Sequence, residues 1–182
     1  MSTSNKSQSA DGFSTKRLVV AHWDAELIEE PAKLRLTDNL DNLLTTRVLE
    51  HLPEPLQLQT GSNAVPCWIS ARQAEADVYT IRCQNSGQLL GLLILAGFSR
   101  DVAQRSIHIG YLFGETSWGQ GFATEMLTGL VDWKLKGGQN TPLMGGVGKG
   151  NPASARVLQK IGFERSPEHS TDDTDMFIRV LR

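Results

Sequence analysis

The N-terminal half of the chain alternates between strand-like and helical patterning. Residues 16–23 form a β-rich run that predicts a first strand, and residues 24–52 are patterned for helix. Because of Pro31, this region can form either one helix or two, and Thr37 or Asp38 would cap the later segment. The apolar positions at helical spacing are Leu40, Leu43, Leu44 and Val48. Residues 51–74 contain three prolines and one glycine, so we expect a long connection with at most a short helical turn.

The remainder of the chain has clearer signals. Residues 78–83 and 88–98 are β-rich runs joined by Gln84-Asn85-Ser86-Gly87, which predicts a hairpin. The further predicted elements are a strand over 106–113, a helix over 119–136 ended by Gly137-Gly138, a strand over 142–147, a helix over 152–161 with Asn151 as N-cap, and a terminal hairpin from Phe163 and 176–181. This order predicts an α+β fold with one mixed, mostly antiparallel sheet flanked by helices. We expect one domain over residues 15–182 after a disordered tail over residues 1–14.

Composition narrows the function classes. The chain has 182 residues, is 40% hydrophobic and carries a net charge of -2, which gives no electrostatic reason to expect nucleic acid or an anionic membrane as partner. Its longest apolar stretch, residues 89–97, is far shorter than the roughly 20 residues that span a bilayer. The polar N-terminus has no apolar signal core, and Cys67 and Cys83 show no disulfide or zinc spacing. We therefore expect a cytoplasmic protein.

A glycine-bearing turn leads directly into the helix predicted at 119–136. Backbone N–H groups at a helix start have no intrahelical partner, and the helix dipole adds positive potential, so such a turn can hold a phosphate or diphosphate. A turn that merely needs positive φ would look the same. The segment is not a P-loop, since no Gly-Lys-Ser/Thr follows, and it lacks the third glycine of a dinucleotide-binding fingerprint.

A second sequence motif helps to interpret the glycine-bearing turn. Residues 151–163 read Asn-Pro-Ala-Ser-Ala-Arg-Val-Leu-Gln-Lys-Ile-Gly-Phe, about thirty positions after Trp-Gly-Gln-Gly-Phe-Ala-Thr-Glu at 118–125 and Gly-Tyr at 110–111. In these motifs, their order and their spacing, the chain resembles the GNAT acetyltransferases. It is most similar to the branch of the ribosomal-protein N-terminal alanine and serine acetyltransferases. The resemblance is strong over residues 105–165 and implies a single GNAT-like domain.

The resemblance also implies an acetyl-CoA site without a metal. The backbone from Trp118 to Thr124 would cradle the diphosphate, the end of the preceding strand would pair with the pantetheine arm, and Asn151 and Ser154 would contact the arm or its ends. The implied cofactor-binding residues are Leu112, Phe113, Trp118, Gly119, Gln120, Gly121, Phe122, Ala123, Thr124, Asn151 and Ser154. Asn151 is also explained as a helix cap, and the two roles are compatible, whereas Trp118 is also explained as a packing residue.

The sequence departs from the family pattern where the chemistry needs an acid. Many GNAT enzymes carry a tyrosine seven positions after the motif asparagine, and this chain has Leu158. For the base, His108 stands where related sequences often have Glu, and imidazole accepts a proton at neutral pH. A strand histidine with no role is one alternative, and Glu115 and the acidic run of Glu26, Glu29 and Glu30 are weaker candidates for the base. A backbone N–H near Leu112 would polarise the thioester carbonyl.

The expected partners are acetyl-CoA and an amine acceptor. An α-amino group with a pKa near 8 is about 10% neutral at pH 7, whereas a lysine is well under 1% neutral, so a protein N-terminus or a small-molecule amine is favoured. The sequence is compatible with a homodimer. The alternatives are a non-catalytic acetyl-CoA-binding module and an acyltransferase with another acyl group or acceptor.

Overall fold

The computed structural model describes residues 12–97 and 106–182. Over these residues the chain folds into a mixed sheet of eight strands with six α-helices packed on its two faces, which confirms the predicted α+β class. The strands are β1 (Gly12–Ser14), β2 (Leu18–His22), β3 (Asp77–Cys83), β4 (Leu89–Ala96), β5 (Ile107–Phe113), β6 (Leu143–Gly148), β7 (Glu164–Ser166) and β8 (Thr174–Arg179). The helices are α1 (Asp24–Ile28), α2 (Glu30–Leu43), α3 (Thr46–Leu49), α4 (Ala64–Glu75), α5 (Phe122–Lys136) and α6 (Pro152–Lys160).

The sheet order is β1-β2-β3-β4-β5-β6-β8-β7. Every neighbouring pair is antiparallel except β5 and β6, which run parallel. The predicted hairpin is confirmed as β3 and β4, and residue 98 at its predicted end lies outside the described residues.

Two apolar cores lie on opposite faces of this sheet. One joins the strands to α5 and α6 and contains Met126, Leu127 and Leu130. The other joins the strands to α1–α4 and is built around Trp23 and Leu40. Successive residues of a strand point to opposite faces of the sheet, and in β4 the residues on both faces are apolar and buried, as a strand covered on both sides requires.

The part of the structure before β3 differs from the sequence prediction in three places. Helix α2 begins at Glu30 with Pro31 in its first turn, where the missing N–H costs nothing, so Thr37 is a mid-helix residue whose hydroxyl donates to the Lys33 carbonyl and not a cap. Helix α4 occupies much of the expected connection. The prolines of residues 51–74 favour a connection, but Pro66 lies in the first turn of α4, where proline is tolerated. Strand β1 falls inside the expected tail, because Phe13 packs against Trp133 with ring centroids 5.5 Å apart.

Candidate functional site

The parallel strands β5 and β6 pair only at their beginnings. Their register is limited to Ile107 with Leu143 and His108 with Met144. Beyond that point β6 pairs with β8 on its other side while β5 continues to Phe113, so the sheet is open between them. The open edge is a place where an extended ligand can form backbone hydrogen bonds like an added strand.

Backbone parity shows which residues face this opening. The Ile107 N–H donates to the Pro142 carbonyl on the β6 side at 2.9 Å, and the Gly114 N–H donates to the Leu90 carbonyl on the β4 side at 2.9 Å. Alternate residues of a strand present their backbone groups to opposite edges. Tyr111 therefore directs its N–H into the opening, whereas Leu112 directs its own towards β4. Phe113 directs its N–H into the opening in the same way, so the donor expected near Leu112 is the N–H of Tyr111 or that of Phe113.

The glycine-bearing turn lies at the end of β5. Gly119 and Gly121 have φ values of 72° and 78°, a conformation that glycine adopts without strain. The first intrahelical bond of α5 runs from the Glu125 N–H to the Gly121 carbonyl at 3.0 Å. The N–H groups of residues 122–124 precede it and point from the helix start, as anion binding needs. The indole of Trp118 donates to the Phe113 carbonyl at 2.7 Å and ties the turn to the strand.

Helix α6 brings a second set of polar groups to the same place. Asn151 is its N-cap, because the side-chain oxygen accepts the Ser154 N–H at 3.1 Å. The Ser154 and Tyr111 hydroxyls are hydrogen-bonded at 2.7 Å. Burial raises the pKa of Tyr111, and the hydrogen bond with Ser154 offsets only part of that rise. A neutral hydroxyl pair therefore lies beside the open edge of β5.

These elements enclose a cavity of about 400 Å³, a size typical of small-molecule sites. Ten of the eleven predicted cofactor-binding residues line it: Leu112, Phe113, Trp118, Gly119, Gly121, Phe122, Ala123, Thr124, Asn151 and Ser154. Gln120 is not among the lining residues. Its side chain donates to the Thr116 carbonyl at 2.6 Å instead.

His108 does not line this cavity. It is exposed, lies near the closed end of the β5–β6 opening, and its ring is close to Gly97. It stands three residues before Tyr111, about 10 Å along the strand. Leu158, which replaces the family's tyrosine, is 1% exposed and packs into the core beside Gly145, so it offers no acid.

Seven further residues line the cavity that were not among the predicted cofactor-binding residues: Val48, His51, Leu52, Tyr111, Ser117, Ala153 and Val157. Tyr111 was noted as part of the Gly-Tyr motif but was given no role. Val48, His51 and Leu52 line the opposite wall, on α3 and the turn after it. No local motif marks these three, because only the packing of α3 over the end of β5 brings them to the cavity.

Comparison with known proteins agrees with this geometry. A sheet that is open at a parallel pair, with a glycine-bearing helix start at the mouth of the opening, has the geometry that can accept an extended phosphorylated ligand. Residues 30–164 match the model of the Acetyltransferase (GNAT) domain, and the chain belongs to this acetyltransferase family.

The individual relatives are distant. The chain is 24% identical over 149 residues, 78% of its length and 86% of the relative's, to the uncharacterized protein YkkB of Bacillus subtilis strain 168. A probable GNAT acetyltransferase from Chromobacterium violaceum has a similar structure, with a TM-score of 0.70, 20% identity and coverage of 93% of this chain and 86% of that one. The ribosomal L7/L12 alpha-N-protein acetyltransferase RimL in complex with coenzyme A has a TM-score of 0.65, 18% identity and coverage of 92% and 96%. Both structural likenesses show the fold.

Within residues 12–97 and 106–182, no helix combines the length and apolarity that crossing a membrane requires. Over the same ranges, His, Cys, Asp and Glu side chains nowhere gather in threes as a metal site would need.

Proposed function

We propose that this chain transfers an acetyl group from acetyl-CoA to a primary amine by direct attack of the amine on the thioester. The observation that carries the proposal is the continuous cavity from the open edge of β5 to the start of α5, lined by ten of the residues that the sequence motifs single out. The N-terminal turn of α5 suits the diphosphate, and the free edge of β5 suits the amide-bearing pantetheine arm.

In this arrangement the N–H of Tyr111 or that of Phe113 is the backbone donor for the oxygen of the thioester carbonyl. Negative charge develops on that oxygen as the amine attacks, and a fixed N–H in a partly enclosed site stabilises it. The tetrahedral intermediate then collapses by breaking the carbon–sulfur bond, which leaves CoA thiolate and the acetylated amine.

The hydroxyl pair of Tyr111 and Ser154 is our candidate for returning a proton to the thiolate, since Leu158 cannot. Tyr111→Phe removes one hydroxyl and keeps the ring, so we expect it to lower kcat by about 100-fold, the usual contribution of a positioned proton donor. Acetyl-CoA affinity should change little. A variant with wild-type kcat would remove the pair from the proposal.

His108 is our candidate for the base that accepts the amine proton. The side chain of His108 lies on the same face of β5 as that of Leu112, which packs in the core on the side of α1–α4. From that face it would accept the amine proton, directly or through water. His51 lines the cavity itself and is the second candidate.

Among the described residues, the cavity wall contains no carboxylate or lysine that could serve as a strong base, which favours an acceptor amine that already has a sizeable neutral fraction. An α-amino group or a small-molecule amine supplies far more neutral nucleophile at pH 7 than a lysine does. The L7/L12 alpha-N-protein acetyltransferase of the same fold makes a protein N-terminus the first acceptor to test. A longer acyl group and a purely acetyl-CoA-binding role are the alternatives.

Thermal unfolding with acetyl-CoA, longer acyl-CoAs, ATP and NAD tests the cofactor. Ligand at about 100 times its Kd stabilises the native state by about 2.7 kcal/mol, and we expect this for acetyl-CoA and not for ATP or NAD. Release of free thiol in the presence of amine and peptide panels then tests catalysis. Binding without thiol release with any amine would favour the binding module, and stabilisation by ATP or NAD alone would refute the CoA site.

A further inference from the structure

The turn that we propose to hold the CoA diphosphate has acidic residues on both sides and no charged side chain of its own. Residues 116–124 are all uncharged, Glu115 precedes them and Glu125 follows in the first turn of α5. A carboxylate at a helix start is stabilised by the same positive potential that attracts a phosphate. An unpaired Glu125 would therefore oppose diphosphate binding.

Arg17, which precedes β2, pairs with this carboxylate closely. Its Nε lies 2.6 Å from Oε2 of Glu125, its backbone N–H donates to Oε1 at 2.8 Å, and the Thr15 hydroxyl donates to Oε1 at 2.6 Å. Partial burial raises the pKa of Glu125, but the hydrogen bonds and the charge of Arg17 outweigh it and the pKa is lowered. Glu125 is thus held as a carboxylate with its charge compensated.

The same guanidinium also contacts the turn. It donates through one terminal nitrogen to the Gln120 carbonyl at 3.1 Å and stacks over the Phe122 ring at 4.3 Å. Its other terminal nitrogen is 3.7 Å from where a side chain on Gly121 would begin. Arg17 therefore contacts Gln120 and Phe122 and lies beside Gly121 between them, although about a hundred positions separate it from the turn.

Glu115 at the other end of the turn has a parallel arrangement. It accepts from the Thr45 hydroxyl at 2.6 Å and from Arg47 at 2.7 Å. Each flanking carboxylate is thus paired with a threonine and an arginine two positions apart. Arg47 is the more exposed of the two arginines, with 70% of its side chain accessible against 41% for Arg17, so solvent screens its pair more strongly.

We propose that Arg17 is a positioning residue for CoA: it cancels the charge of Glu125 and fixes the turn, so that the diphosphate meets only the positive helix start. This inference rests on the proposed function and adds a residue outside the recognised motifs. Arg17 acts through Glu125 and the turn. Its loss should matter for ligands that carry the diphosphate and not for those without it.

The test compares Arg17→Met, Glu125→Gln and the double variant. Methionine keeps an aliphatic stem against Phe122 and removes the charge. We expect Arg17→Met to weaken CoA binding roughly tenfold, the scale of a like-charge interaction across about 10 Å at the effective dielectric of a protein. Glu125→Gln leaves the charge of Arg17 uncompensated, so by the same estimate it should bind CoA roughly tenfold more tightly than the wild type. The double variant should recover most of the affinity that Arg17→Met loses, because no uncompensated carboxylate remains.

Calorimetry measures CoA binding, and NMR titration measures pantetheine, which lacks the diphosphate. Arg17→Met should leave pantetheine binding unchanged. Arg165→Met is the matched control, since Arg165 forms an ion pair with Asp175 at 2.7 Å and neither residue lines the cavity. It should bind CoA like the wild type.

Three outcomes would overturn the proposal: wild-type CoA affinity in Arg17→Met, equal weakening for pantetheine, or a double variant as weak as Arg17→Met. If Arg17→Met does not fold, the double variant against Glu125→Gln carries the comparison: the double variant should bind CoA more weakly, and equal CoA affinities there would refute the idea. Failure of the wild-type protein to bind CoA would instead refute the proposed function, so the two failures are distinguishable.

Discussion

Two substitutions of Asn151 separate its role as a helix cap from a contact with the cofactor. Asn151→Ala removes the oxygen that accepts the Ser154 N–H at 3.1 Å. A lost N-cap costs about 1 kcal/mol of unfolding free energy, which lowers Tm by about 3 °C in a domain of this size. If the side-chain amide also donates to CoA, affinity should fall as well, roughly tenfold for one hydrogen bond.

Asn151→Asp keeps the capping oxygen, and aspartate caps helices as well as asparagine does. It replaces the amide donor by a negative charge in the cavity wall. We therefore expect a Tm close to that of the wild type with CoA affinity reduced at least as much as in the alanine variant. The contrast between the two variants distinguishes stability from binding.

Differential scanning calorimetry gives the Tm of each variant without ligand, and titration calorimetry gives the CoA affinity well below that Tm. Wild-type CoA affinity in Asn151→Asp would show that the residue only caps α6. A fully stable Asn151→Ala would contradict the importance of the cap itself.

Three further predictions follow from the site. Gly121→Val places a branched side chain at φ 78° in the cavity wall and should abolish CoA binding measurable by calorimetry, whereas Gly138→Val, at φ 68° with open space around it, imposes similar strain and should still bind. His108→Ala should lower kcat by about 100-fold with CoA affinity retained; a loss confined to His51→Ala in the same thiol-release assay would move the base to the cavity wall. The folded-state pKa of Glu125 is lowered, so its stabilising contribution is complete above the ordinary glutamate pKa and is lost as pH falls through the lowered value. The difference in unfolding free energy between the wild type and Glu125→Gln should therefore shrink in that acid range. A difference that does not depend on pH would contradict this.

Local patterns predicted the elements that carry their own signals. The hairpin of β3 and β4 has a turn sequence between two apolar runs, and α6 has asparagine, proline and glycine at its ends, so both were found close to their observed bounds. The prolines of residues 51–74 predict a connection where α4 forms, although Pro66 lies in the first turn of that helix, where proline is tolerated. Strand β1 has only three residues, too few for a periodic pattern, and it is ordered by pairing with β2 and by the contact of Phe13 with Trp133.

The sequence by itself determined the α+β class and ten of the residues that line the cavity. The Trp-Gly-Gln-Gly turn and the residues after Asn151 are contiguous segments whose geometry follows from glycine conformations, a cap and the adjoining helices. Such features depend on neighbours in the chain, so a pattern of a dozen residues is enough to reveal them.

Only the tertiary structure decided what surrounds these lining residues. It opened β5 from β6 after two register positions, joined Tyr111 to Ser154, brought His51 to the cavity and paired Arg17 with Glu125 across 108 positions. These contacts depend on how strands and helices pack over long separations, and each costs chain entropy that only the whole core can offset. No local pattern carries that information, because the same residues in another packing would face solvent.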